Sequence, residues 1–299
     1  MAQEHVSGVQ RQERARPAQA AATGDSLASP VFFWWLALLG TAILIYGPTA
    51  IWLEQRWRTD QFYQHGYLVA PASAYLAWKA WPEAMALAAK GSRWGTPLIL
   101  LGLLLQTANA ITGIMTIGAV SFMMVATGLL LAWKGTAVFQ HLGFPLFFFL
   151  FAIPFATAGS EASGMIMTPM MELAAASAAG VCQTLGLDAK LSGTIVRLPG
   201  YTMQIVAPCS GMSSLVSLMP LGALLGHLSG ARPWRIAVLI LAAFPIAYVA
   251  NVTRLTLTAL LGVSFGAKVA SGFLHEASGI FTFALGAVAM YCIPRGSSK

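Results

Sequence analysis

The fold is decided first by the stretch VFFWWLALLGTAILIYGPTAIWL, residues 31–53, which carries no charged side chain. An apolar run of about 20 residues is the length that an α-helix needs to cross a bilayer. The run is longer than the apolar core of a signal peptide, and no convincing small-residue cleavage site follows it before the next charges. We therefore interpret it as a retained membrane span.

The composition extends this interpretation to most of the chain. The 299 residues are 57% hydrophobic and only 9% charged, whereas a soluble domain carries about 25% charged residues. The alternation that a lipid-facing barrel strand needs is absent. The sequence predicts an all-α polytopic membrane protein, a bundle with these eight spans: Val31–Leu53, Tyr67–Trp81, Pro97–Thr112, Ile117–Trp133, Val138–Thr157, Cys209–Ser229, Ile236–Leu261 and Ala277–Ile293.

A ninth helical segment is Met165–Leu187, which carries Glu172 and many small residues. Three placements are open for it: in the membrane interface, in a groove of the bundle, or across the bilayer. If it crossed, Arg232 and Arg235 would lie outside the cell, which the preference of positive charge for the cytoplasmic side disfavours.

The Lys and Arg residues set the orientation, because positively charged loops remain in the cytoplasm. With the N-terminus inside, eleven of them lie in inner segments and five in outer segments, so we expect both termini inside. The inner group is Arg11, Arg14, Arg16, Lys79, Lys90, Arg93, Lys134, Arg232, Arg235, Arg295 and Lys299, and the outer group is Arg56, Arg58, Lys190, Arg197 and Lys268.

This orientation divides the chain into three parts and excludes some classes of function. Residues 1–29 are polar and predict a disordered cytoplasmic tail, residues 30–294 form the transmembrane domain, and residues 295–299 form a second cytoplasmic tail. The net charge of +7 reflects the orientation, and no segment is basic enough to indicate a nucleic-acid partner. The three cysteines lack metal-ligand spacing, so we expect no metal and no cofactor, although a disulfide is left open.

The one extended segment is LSGTIVRLPGYTMQIV, residues 191–206. Alternating and β-branched residues on both sides of Pro199 and Gly200 predict a small β-hairpin. On the topology above, this hairpin is periplasmic and leads directly to Cys209.

Arg254 is the clearest polar residue inside a span, and its span contains no acidic residue. A charge in the membrane costs roughly 2.5–3.5 kcal/mol at a helix centre and is usually functional. Asn251 and Thr258 share its helical face, which favours a polar stripe that points into the bundle. The alternative is an arginine that reaches toward the outer headgroups.

Cys209 follows Pro208, a residue that suits the first position of a helix. Free N–H groups and the helix dipole at that point stabilise an anion, and the thiolate is the nucleophilic form of cysteine. Ser210, Gly211, Ser213 and Ser214 keep the surroundings small and polar, which leaves room for a substrate and for oxyanion donors. The alternative is an inert buried thiol, which is the interpretation that we give Cys182 and Cys292.

His275 precedes the last span on the same outer side. A lone histidine in a loop is usually a solvated residue. Together with Cys209 and Arg254, however, it completes a nucleophile, a charge stabiliser and an acid/base, which are the parts that acyl transfer needs.

Four motifs in this order resemble the exosortase/archaeosortase family: HGYLVAPASAYLAW from His65, PCSGMSSL from Pro208, NVTRL from Asn251 and FLHEASG from Phe273. The LPG of the extended segment is also similar to the family pattern. The resemblance covers roughly Gln61–Tyr291. Pro208 departs from it, because a small residue is more usual there, and this departure puts the substrate fit in doubt.

The resemblance implies an eight-span bundle in the cell inner membrane, with its active site at the periplasmic face. It implies cleavage of membrane-anchored proteins that bear a C-terminal sorting signal of PEP-CTERM type, followed by transfer to an acceptor. The family's catalytic cysteine, arginine and histidine correspond to Cys209, Arg254 and His275. The residues expected to contact the substrate are His65, Gly66, Asn251, Ser210 and Gly211, although His65 is equally well a plain surface histidine.

Three other functions remain as alternatives. A transporter or channel would use Arg254 to bind an anionic substrate and would need no thiol. A scaffold would have no catalysis. A serine intramembrane protease would use Ser210 or Ser213 in place of Cys209. The sequence leaves the acceptor, the sorting signal and the oligomeric state open.

Overall fold

The structure is a computed structural model that describes residues 30–88, 90–155, 161–267 and 273–293. Both predicted tails lie outside these residues. The helices are α1 Pro30–Thr59, α2 Gly66–Ala86, α3 Gly95–Thr112, α4 Met115–Lys134, α5 Phe139–Phe149, α6 Glu161–Thr184, α7 Met212–Leu228, α8 Pro233–Phe265 and α9 Phe273–Cys292. The strands are β1 Lys190–Ser192, β2 Ile195–Leu198 and β3 Tyr201–Gln204.

The chain divides into two compact units within α1. The first unit is Met1–Gly47, of which the structure describes helix from Pro30 onward. The second unit is Pro48–Lys299, and it contains the other helices and the sheet.

The hydropathy of the helices confirms a mostly helical, multi-pass membrane protein. Among the described residues, five helices are long and apolar enough to cross a membrane: Leu36–Thr59, Gly95–Thr112, Met115–Lys134, Gly164–Thr184 and Pro233–Phe265. Three shorter apolar helices are Thr136–Ala152, Met212–Leu228 and Gly279–Cys292. Helix α2, which contains the predicted span Tyr67–Trp81, falls in neither group.

Each predicted span coincides with a helix, but the bounds differ. The predicted span from Cys209 is wrong at its start, because Cys209 ends a 3-10 turn, Ala207–Cys209, and α7 begins at Met212. Helix α8 is longer than predicted, with 33 residues. At about 1.5 Å per residue its length exceeds the roughly 30 Å of a hydrocarbon core.

Helices α3 and α4 form a tight antiparallel hairpin built on small residues. A Cβ at Gly95 would lie 2.4 Å from the backbone nitrogen of Ala132, and a Cβ at Gly128 would lie 2.9 Å from the backbone nitrogen of Ile99. Small residues allow such close approach, which drives helix association in lipid, where apolar burial gives little advantage.

The end of α1 and the start of α2 are hydrogen-bonded to the 3-10 turn Leu150–Ala152 that follows α5. The indole Nε1 of Trp57 donates to the carbonyl of Ala152 at 2.7 Å, and Nε2 of His65 donates to the carbonyl of Phe151 at 3.0 Å. Gly66 permits the contact, because a Cβ there would lie 2.3 Å from the ring of Trp57. The C-terminal ends of α1 and α5 and the start of α2 therefore meet at one end of the bundle.

The extended segment forms a three-stranded antiparallel sheet in the order β1-β2-β3. Strands β2 and β3 pair around Pro199 and Gly200, with Leu198 opposite Tyr201. This is the predicted hairpin, and Gly200 has the left-handed φ of +74° that its turn requires. Strand β1 is an addition that the sequence analysis did not predict.

Helix α6 begins and ends at the same end of the bundle. Met167 near its start packs with Phe62 and Tyr63 of the segment between α1 and α2. Cys182 near its end is fully buried in a cluster with the sheet, Cys209 and the C-terminal half of α8. Both ends of α6 therefore pack near the Cys209 turn, and its placement relative to the membrane stays a prediction.

Candidate active site

Cys209 lies in the 3-10 turn that connects the sheet to α7. Pro208 occupies the first turn of this element, and the N–H of Cys209 donates to the carbonyl of Val206 at 2.7 Å. The Cys209 residue is only 5% exposed and belongs to a cluster formed by α6, the sheet and α8. Cys209 is therefore enclosed by these elements.

Ser210 and Gly211 build the turn. The Ser210 hydroxyl donates to the carbonyl of Ala207 at 2.8 Å and accepts the N–H of Met212 at 3.2 Å. Gly211 has φ of +86°, a left-handed conformation that glycine adopts without steric cost. This conformation separates the turn from α7, so Cys209 precedes the helix instead of lying in its first turn.

Asn251 of α8 makes the contact that ties α8 to this turn. Its side-chain Nδ2 donates to the backbone carbonyl of Cys209 at 2.8 Å. Asn251 is 4% exposed. It also packs against Gly211, because a Cβ added to Gly211 would lie 3.2 Å from the Cβ of Asn251. The asparagine therefore belongs to the wall of the turn.

Arg254 follows Asn251 by one helical turn. Thr258 and Asn251 on the same face are both buried, and the Thr258 hydroxyl donates to the carbonyl of Arg254 at 2.9 Å. The guanidinium reaches α9, because a Cβ at Gly279 would lie 3.5 Å from its Cζ. The predicted polar stripe thus faces the bundle, and the guanidinium lies at the seam between α8 and α9.

His275 lies in α9, four positions before Gly279. Positions four apart share one face of a helix, so the backbone of His275 is one turn from the contact between Arg254 and Gly279. The side chain of His275 lies outside the described part of the chain. The elements that carry the predicted thiol, guanidinium and imidazole are therefore neighbours.

Tyr201 is a residue of this region that the sequence analysis missed. Its ring lies against α8, because a Cβ at Gly262 would lie 2.4 Å from the ring carbons, and it packs on the cluster that contains Cys209. Burial raises the pKa of the Tyr201 phenol, and the nearby Cys209 thiol acts in the same direction. The sequence feature that could have indicated Tyr201 is its position as an aromatic residue directly after the Pro199-Gly200 turn.

His65 and Gly66 lie elsewhere at the same end of the bundle. The imidazole is bonded to the carbonyl of Phe151, and burial lowers the pKa of His65, partly opposed by backbone hydrogen bonds. His65 thus bonds the turn after α5, and Gly66 packs against the ring of Trp57. Substrate contact by His65 and Gly66 stays a prediction.

Two other features of the described residues bear on function. All three cysteines are free thiols, and within the described ranges no group of three His, Cys, Asp or Glu residues is placed to hold a metal. A groove of about 360 Å³ lies between α8 and α9, and Cys209 does not line it. Its lining residues are Pro245, Ile246, Val249, Ala250, Thr253, Leu285, Gly286 and Ala289.

Comparison with known proteins identifies one family. Searches against curated proteins and against solved structures gave no match. The family model described as transmembrane exosortase matches residues 57–292, which is well over half of the chain. The match includes the segment between α1 and α2, the sheet, the Cys209 turn, Arg254 and His275. The chain therefore belongs to the transmembrane exosortase family.

Proposed function

We propose that this protein is a cysteine transpeptidase of the cell inner membrane that cleaves C-terminal sorting signals through a thioester on Cys209. Its substrates are membrane-anchored proteins with a signal of PEP-CTERM type, and the site faces the periplasm. Membership of the exosortase family supports the class of reaction.

One observation carries the proposal. The hydrogen bond from Asn251 to the carbonyl of Cys209, at 2.8 Å, joins the thiol-bearing turn to the helix that carries Arg254. The guanidinium in turn contacts the helix that carries His275, at Gly279. These two contacts connect the elements that carry the thiol, the guanidinium and the imidazole, although the three residues are distant in the sequence.

The reaction begins with attack of the Cys209 thiolate on the scissile carbonyl. The tetrahedral intermediate carries a developing oxyanion, and Arg254 stabilises it with a charge that is permanent in a protein. The carbon–nitrogen bond then breaks, and His275 gives a proton to the leaving amine. The product is a thioester between Cys209 and the substrate.

The second half of the reaction runs in reverse order. His275 accepts a proton from the incoming nucleophile, which attacks the thioester and releases the thiolate. Water as the nucleophile gives proteolysis, and an amine or a lipid-linked acceptor gives transfer.

The decisive test is processing of a co-expressed protein that carries a PEP-CTERM-type signal. We expect Cys209→Ala to abolish processing at normal protein levels. The matched control is Cys292→Ser, which removes an exposed cysteine and should leave processing intact. A thioester trapped on Cys209 in the parent protein, with the attached fragment identified by mass spectrometry, would establish the intermediate.

The alternatives predict other results. If Cys209→Ala still processes the substrate, the thioester mechanism is wrong, and a serine protease or a transporter that uses Arg254 becomes the better account. If Arg254→Ala and His275→Ala retain full processing whenever they are present at normal levels, neither residue is catalytic. Alkylation of Cys209 alone separates the thiol from the serine mechanism, because only the former is stopped.

A further inference from the structure

We propose that Asn251 is a positioning residue, whose amide holds the Cys209 carbonyl and thereby fixes the thiol-bearing turn relative to Arg254. The contact is a property of the fold, and its consequence for catalysis rests on the proposed function. The role differs from substrate contact, the role that the motif first indicated.

The Cys209 carbonyl accepts a hydrogen bond from a side chain of α8. If the turn continued into α7 as one regular helix, this carbonyl would accept the N–H of Ser213. Gly211, with φ of +86°, breaks that continuity. A buried carbonyl without a partner is costly, and the amide of Asn251 fills this position at 2.8 Å.

The packing around Asn251 directs its amide at the Cys209 carbonyl. It is 4% exposed, and Ser210 beside the bond is 3% exposed with its hydroxyl engaged inside the turn. Gly211 lies directly on the asparagine side chain. The donor therefore points at the Cys209 backbone from within a packed wall.

The position of Asn251 on α8 connects two functional groups. Arg254 is three residues later on the same helix. The bond from Asn251 therefore fixes the position of the turn relative to the guanidinium. Near-attack geometry tolerates little error, and a misplacement of 1 Å costs about 100-fold in rate. We expect processing by Asn251→Leu to fall by about that factor.

The first experiment measures the turn without any substrate. Cys209 is alkylated with iodoacetamide in membranes, in a background that carries Cys182→Ala and Cys292→Ser. Because the thiol is buried, alkylation requires local opening, and losing a buried hydrogen bond raises the open population by about tenfold. We expect that acceleration for Asn251→Leu, which has the same number of side-chain heavy atoms as asparagine but no donor.

The matched control is Thr253→Val on the same helix. Its hydroxyl donates to the carbonyl of Val249 within the same helix, in an exposed bond, so alkylation of Cys209 should remain within about twofold of the parent. Asn251→Gln retains an amide donor and should fall between the parent and Asn251→Leu, which keeps the test valid if Asn251→Leu accumulates poorly. Equal rates for Asn251→Leu and Thr253→Val would overturn the proposal.

The second experiment separates positioning from substrate contact. In a Cys209→Ala background the backbone carbonyl is retained, and uncleaved PEP-CTERM-type substrate is co-purified with the enzyme. We expect Asn251→Leu to leave that co-purification unchanged while it sharply reduces turnover in the Cys209 parent. Loss of co-purification would instead make Asn251 a substrate-binding residue and refute the positioning role.

The two proposals fail separately. If Cys209→Ala still processes substrate but Asn251→Leu accelerates alkylation, the thioester mechanism is wrong and the structural contact stands. If Cys209→Ala abolishes processing and Asn251→Leu leaves both alkylation and processing unchanged, the mechanism stands and Asn251 has no positioning role.

Discussion

Gly211 separates the turn that carries Cys209 from α7. Its φ of +86° lies in the region that costs an L-residue about 1–2 kcal/mol. A side chain there would also approach Asn251, with Cβ and Cγ both at 3.2 Å. Backbone conformation and packing therefore both favour glycine at this position.

Gly211→Ala is accordingly expected to cost more than Gly230→Ala, the matched control just after the other end of α7. Gly230 has φ of +65°, and a Cβ added there would meet no heavy atom within 4 Å, so it reports the left-handed penalty alone, about 1–2 kcal/mol. Thermal unfolding in detergent measures both. A melting temperature of Gly211→Ala equal to that of Gly230→Ala would show that the contact with Asn251 is unimportant.

His65 gives a pH dependence with a definite sign. Burial lowers the pKa of its imidazole below the ordinary 6.5, so the folded state favours the neutral ring. The associated stability is present above about pH 6.5 and is lost as the pH falls through the lowered pKa. Between pH 7.5 and 5.5 the melting temperature should therefore fall more for the parent than for His65→Gln.

Glutamine is the matched substitution because its Nε2 can donate to the carbonyl of Phe151 without titrating. An equal fall for parent and variant would contradict the buried, neutral histidine. A parent that becomes more stable on acidification would reverse the sign altogether.

Some features of the turn could be predicted from the sequence and others could not. The motif around Cys209 and the polar face of Asn251, Arg254 and Thr258 could be predicted from local chemistry and helical period. The bond between Asn251 and Cys209 could not, because it joins residues 42 positions apart and depends on how α7 packs on α8. The left-handed break at Gly211 had only a Ser-Gly pair as its signal.

At the scale of elements, the sheet and α8 form one packed unit. The hairpin followed from the turn residues Pro199 and Gly200. The packing of the hairpin on α8 could not be predicted in the same way. The period of a strand predicts which residues share a face, but it does not predict which helix that face contacts. The docking depends on Gly262, whose missing side chain admits the ring of Tyr201.

A double-mutant cycle on Tyr201 and Gly262 tests this docking. Gly262→Ala alone should cost about 1–3 kcal/mol, because the new methyl group overlaps the ring. In a Tyr201→Ala background the same substitution should cost much less, with a coupling of at least about 1 kcal/mol. Additive effects on the melting temperature would show that the ring does not rest on Gly262.

At the scale of the molecule, α6 decides the topology of everything after it. Its length and hydropathy alone suit a membrane span, and sequence analysis could oppose that only through Arg232 and Arg235. The contacts add independent support. Met167 packs beside Tyr63, and the end of α6 packs with the sheet, so both ends of the helix lie near the Cys209 turn.

We therefore expect Arg58 at the end of α1 and Lys190 in β1 to face the same side of the membrane, opposite Lys90. Single cysteines at these positions, in a background without the native cysteines, are labelled with an impermeant maleimide. Arg58 and Lys190 are well exposed, at 66% and 76% of their side chains, so labelling is limited by topology. In intact spheroplasts Arg58→Cys and Lys190→Cys should react, and Lys90→Cys should react only after lysis. Reaction of Lys190→Cys only after lysis, together with Lys90→Cys, would mean that α6 crosses the bilayer and that the Cys209 turn faces the cytoplasm.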